Sequence, residues 1–119
     1  MAKILIVEPS EEIAELLSVI VRRLGHEPAV HVTGRELPDA DAALVEPAYP
    51  WTLELAETLR KREAALPIVC LSIYPASEAV LALEPAAYLL KPFTLGELEA
   101  AIADALAGRR GAPRRPVRV

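Results

Sequence analysis

The sequence predicts an α/β domain with a mostly parallel, doubly wound sheet, and three observations carry that prediction. Five short, mainly apolar runs occur, and the first, Lys3 to Val7, lacks the polar alternation of a half-exposed strand, as strands covered on both faces do. Segments with helical spacing or helix start and stop residues separate these runs. Each run closes on a polar residue or a proline. Such alternation forces right-handed crossovers and gathers functional groups at the carboxyl ends of the strands.

Lys3 to Val7 is the first strand, bounded by Glu8 and Pro9. Ser10 then caps a helix in which Ile13, Leu16, Leu17, Ile20 and Leu24 recur at helical spacing and Gly25 is the stop. Ala29 to Val32 is the second strand, and Thr33 to Leu37, ahead of Pro38, has room for about one helical turn. Ala42 to Val45 is the third strand; Pro47 and Pro50 enforce a loop before a helix from Thr52 to Glu63. Pro67 to Ser72 is the fourth strand, Ala76 to Leu83 the fourth helix and Ala86 to Leu90 the fifth strand. The fifth helix runs from Thr94 to Ala107, with Gly108 as its stop.

The 119 residues fit one core, and 53% hydrophobic against 25% charged residues suffices to build it. No apolar run approaches the about 20 residues of a membrane span, and the N-terminus lacks a signal-peptide pattern, so a cytoplasmic location is expected. Cys70 is expected in the core, with no partner for a disulfide or metal. Asn and Gln are absent, a bias that resembles thermophile proteins. The net charge of −4 conceals an acidic body and a basic end, since no acid follows Asp104 while Arg109, Arg110, Arg114, Arg115 and Arg118 do. Residues 108–119 carry no apolar periodicity and are expected to be a disordered basic tail on a domain of residues 1–107. That tail could grip nucleic-acid phosphates, a reading against which the acidity of the body counts.

Glu8, Glu46, Ser72 and Lys91 all fall at strand ends. Two carboxylates, a hydroxyl and an ammonium on one rim suit a phosphoryl group or a divalent cation. The Gly-rich phosphate cradles of nucleotide sites and the G-x-S-x-G elbow of hydrolases are absent, so no enzyme is expected. Trp51 fits either a partner-binding anchor or a residue packing its loop.

In order and spacing, "KILIVE", "DAALVEPAYP", "PIVCLS" and "AAYLLKPF" resemble a bacterial two-component receiver domain of the chemotaxis-regulator type, over residues 3–107. The resemblance implies a flavodoxin-like three-layer sandwich, a five-stranded parallel sheet with a shortened second helix. It puts Glu46 at the phosphoacceptor position, Ser72 at the phosphoryl-binding hydroxyl, Tyr88 at the switch aromatic and Lys91 at the phosphoryl-binding lysine, with Pro92 often preceded by a cis bond. It also implies a protein partner, or a second copy, on the surface of the fourth helix, fifth strand and fifth helix.

Three departures oppose phosphorylation. Pro9 replaces a second acid beside Glu8, Glu46 is longer than the aspartate the family uses, and Ile73 is expected to crowd the pocket where a small residue is usual. Glu8 and Glu46 remain as candidates for a weak Mg²⁺ site, since Mg²⁺ accepts one or two protein carboxylates. No other cofactor is expected. The expected function is therefore that of a pseudo-receiver, a phosphorylation-independent interaction module held in a fixed signalling state by the permanent charge of Glu46. A simpler reading makes the rim only an ion-paired remnant. Glu46 and Lys91 are expected within ion-pairing reach, with the third and fifth strands on either side of the first, and a partly solvated pair would contribute about 1 kcal/mol or less.

Overall fold

A computed structural model describes residues 1–109 of the chain. Its elements are β1 (Lys3–Val7), α1 (Glu11–Arg23), β2 (Glu27–Val30), β3 (Ala42–Val45), α2 (Pro50–Arg62), β4 (Ile68–Ser72), α3 (Glu78–Leu81), β5 (Ala87–Leu90) and α4 (Leu95–Arg109). All strands run parallel in the order β2-β1-β3-β4-β5. The three central strands are buried on both faces, which is why their sequences read as uninterrupted apolar runs. On one face Ile4, Ile6, Leu44 and Val69 pack against α1 and α4, through Ala14, Leu17, Val21, Leu98 and Ile102. On the other, Leu5, Val7, Val45 and Ile68 pack against Ala56 and Leu59 of α2 and Val80 of α3. Three layers result, as expected.

Several elements differ from the sequence expectation. The buried face of α1 is Ala14, Leu17 and Val21, while Leu16 is 58% exposed. Ala14 and Ser18, whose hydroxyl donates to Ala14 O at 2.9 Å, are small enough to bring the helix close to the sheet. Gly25 ends the helix at φ +87°, where a side chain is strained, and turns the chain directly into the sheet. β2 therefore starts at Glu27, two residues before the predicted start, with Pro28 tolerated because this strand is an edge.

The shortened second helix is reduced to one hydrogen-bonded turn, Arg35 N–H to Val32 O at 3.0 Å, and no helix joins β2 to β3. Gly34 and Pro38 bracket too few residues to bury a helical face. Arg62 of α2 ties this crossover down, donating to Leu37 O at 3.1 Å and to Asp39 at 2.8 Å.

α2 starts at Pro50, two residues earlier than predicted, because proline suits the first helical position. The Thr52 hydroxyl accepts the Tyr49 N–H at 3.3 Å and donates to Tyr49 O at 2.9 Å. α3 shrinks to four residues, capped by Ser77. α4 continues through Gly108 to Arg109, two residues past the boundary predicted at 107. Of the arginine-rich tail, Arg110, Arg114, Arg115 and Arg118 lie outside the described residues.

The Arg60 guanidinium was not singled out by the sequence. It donates to Leu83 O at 2.7 Å, Leu66 O at 2.7 Å and Ala64 O at 2.8 Å, with longer bonds to Glu63 O and Glu84 O. One side chain thus satisfies carbonyls in the segments that follow both α2 and α3.

Cys70 lies buried mid-strand in β4, as expected. Burial, reinforced by the negative charge of Glu46 and opposed by Arg60, pushes its thiol pKa up to about 12. Native protein at pH 8.5 should therefore resist iodoacetamide, with mass spectrometry showing alkylation only once denaturant unfolds the chain.

Candidate functional site

Glu8, Glu46, Ser72 and Lys91 each follow or close a strand, and the parallel sheet brings all four to one rim. Lys91 Nζ lies 3.3 Å from Glu8 Oε1 and 3.4 Å from Glu46 Oε1. The expected reach between Glu46 and Lys91 is met, but for a different reason: β4 lies between β3 and β5, and the lysine reaches across it. The two carboxylate side chains are only 5% and 7% exposed, and Lys91 is 21% exposed. The pair is thus more buried than the partly solvated one expected from sequence.

The backbone satisfies what Lys91 does not. Ser10 N–H donates to Glu8 Oε2 at 3.0 Å, Ala48 N–H to Glu46 Oε2 at 3.3 Å, and Tyr74 N–H to Ser72 Oγ at 3.2 Å. The pattern is the same three times: where a strand leaves the sheet, the amide two residues on loses its ladder partner and turns back to the strand-end side chain. Both oxygens of each carboxylate are therefore engaged. Among the described residues no group of three His, Cys, Asp or Glu could hold a metal. Glu8 and Glu46 are the carboxylates of the rim, Pro9 adds none, and the Lys91 ammonium stands against one oxygen of each.

Tyr88 projects from β5 toward the loop after β4, and its phenol donates to Tyr74 O. Burial holds the phenol above its ordinary pKa, a hydrogen bond with Ser72 acts in the opposite direction, and nearby Cys70 and Glu46 add to the rise. Ser72 and Tyr88 thus both hold the Tyr74 backbone, the hydroxyl at its N–H and the phenol at its carbonyl. Sequence reading missed Tyr74 because its backbone, not its side chain, makes the contacts. Ile73, which follows Ser72, is 60% exposed. Trp51 is half-exposed, its ring 6.4 Å from that of His31. The Lys91–Pro92 bond is cis.

No family model and no curated protein matches the chain. Solved structures do. A CheY-like response regulator receiver domain protein from Methanospirillum hungatei aligns with a TM-score of 0.82 at 23% identity, covering 92% of this chain and 97% of that one. The response regulator TrrA from Thermotoga maritima, solved with Mg²⁺-BeF, aligns at 25% identity and a TM-score of 0.76, over 89% of this chain and 100% of its own. The receiver domain of a modulated diguanylate cyclase from Desulfovibrio desulfuricans gives 27% identity and a TM-score of 0.76, over 92% and 97%. NtrX from Brucella abortus is similar at 21% identity and a TM-score of 0.75, but the match covers only 27% of that longer chain. With 92% of this chain aligned to nearly all of a single receiver domain, the protein has the receiver fold of CheY-like response regulators.

Proposed function

We propose that this chain is a phosphorylation-independent receiver, a module that signals by binding a protein partner rather than by accepting a phosphoryl group. The carrying observation is that Lys91 pairs with both Glu8 and Glu46 while backbone amides hold their remaining oxygens, so the rim is satisfied without an ion or a phosphoryl group. Glu46, one methylene longer than aspartate, stands at the acceptor position with its carboxylate already committed. In-line attack requires a free oxygen at a set distance, and both the pairing and the added methylene oppose it.

The partner surface is α3, β5 and α4. Leu81, Leu90 and Leu95 are exposed on these elements, and exposed large apolar side chains are a feature of protein-binding sites. Tyr88 couples the rim to it, because its phenol bonds the carbonyl of Tyr74, whose amide bonds Ser72, in the loop leading into α3. A single-charged carboxylate supplies only part of what a phosphoryl group would, so the state is fixed rather than switched.

Incubation with acetyl phosphate and Mg²⁺, followed by intact mass measurement, should show no added phosphoryl group. A stoichiometric adduct would favour a conventional, phospho-regulated receiver with a degenerate Mg²⁺ site. Pro9→Asp with Glu46→Asp should gain acceptance, since the two changes rebuild a ligand and an attacking carboxylate.

A further inference from the structure

A groove of about 410 Å³ opens between the loop joining β3 to α2 and the loop joining β4 to α3. Pro47, Tyr49 and Pro50 line it from one loop, Tyr74 and Pro75 from the other, and Tyr88 from β5. Tyr49 and Tyr74 are exposed, and among the described residues neither phenol has a hydrogen-bonding partner. Flat aromatic and proline faces with free phenol donors suit a polyproline-type segment, whose carbonyls are not used internally and whose rings stack without further ordering.

We propose that this groove docks a proline-rich segment, and that its occupant is residues 110–119 of a second copy of this chain. That segment reads RGAPRRPVRV. Pro113 and Pro116 are three apart in sequence, the spacing at which a polyproline-type ligand presents two rings to one groove. It holds four of the 13 Lys and Arg and none of the 17 acids, so it carries +4 against −8 for residues 1–109. Glu54 and Glu78, each next to a groove-lining residue, are exposed and able to meet its arginines.

The chain's own groove is out of reach for Pro113, so one copy cannot seat both prolines in it. α4 leaves the strand-end rim and packs along β3, β4 and β5, so its 15 residues carry the backbone about 22 Å toward the opposite pole. Pro113 is four residues past Arg109, a span of at most about 14 Å. The contact is therefore between copies and heterologous, tail of one into groove of the next. It stands independently of the phosphorylation reading.

Sedimentation equilibrium on the full chain should show concentration-dependent association, weakened at least about fivefold by Tyr49→Ala with Tyr74→Ala, and equally by Pro113→Ala with Pro116→Ala. Circular dichroism checks that each variant is folded. Mixed together, the groove variant and the tail variant should re-form 1:1 pairs, since each keeps one intact half. A synthetic peptide of residues 110–119 should shift groove resonances in NMR. Association untouched by the proline substitutions, or a doubly Pro→Ala peptide that binds as well as the natural one, would overturn the proposal in favour of charge attraction alone. Association that needs added duplex DNA would overturn it in favour of a phosphate-binding tail.

Discussion

Lys91→Met should destabilise the fold by about 3 kcal/mol, because removing one member of a buried ion pair leaves its partners uncompensated. Here two partners remain. Glu8 and Glu46 are 5% and 7% exposed and share the one ammonium, so the variant holds two like charges in a nearly dry rim. Urea denaturation measures the loss. Glu46→Gln in the Lys91→Met background should recover part of it, since one of the two unpaired charges is gone. Lys3→Met gives the contrast: the Lys3–Glu27 pair is 3.8 Å long and about half exposed, and its removal should cost less than about 1 kcal/mol. Equal effects at the two lysines would contradict the claim that burial, not pairing, decides the magnitude.

Arg60→Ala should cost a further class of interaction, about 2–4 kcal/mol, by stranding carbonyls that a charged donor now satisfies. Three of the bonds are 2.8 Å or shorter, and Leu66, one of the acceptors, is buried. Arg60→Lys should rescue little, because an ammonium lacks the planar fork needed to reach the ends of both α2 and α3. Hydrogen exchange should locate the damage: amides of α3 and the end of α2 should lose protection before those of β1 and β3. A uniform loss across the sheet would instead mean that the guanidinium supports the whole fold.

Three of the four strands that carry the rim, β1, β3 and β4, were legible because each is buried on both faces, and that burial is written directly into its composition. β1 and β3 were bounded to the residue. Edge strand β2 was misplaced by two residues, since only half its surface is covered and its start depends on the turn at Gly25. Helix extents were less legible still. A stretch such as 33–37 has no intrinsic preference strong enough to form a helix without a face to bury, and the anchoring of its loop by Arg62 is a contact over 25 residues of separation.

The sequence by itself determined the alternation of elements, hence the parallel sheet, and with it the arrival of Glu8, Glu46, Ser72 and Lys91 at one set of strand ends. Those are consequences of local periodicity and of chain-order rules. Tertiary structure alone decided how the four meet. That Lys91 crosses β4 to pair with two carboxylates, that strand-end amides take up the remaining oxygens, and that Tyr88 closes on the Tyr74 carbonyl all depend on strand order and side-chain burial. Distances between residues up to 83 positions apart are set by the packing of the whole sheet, and no local pattern encodes them.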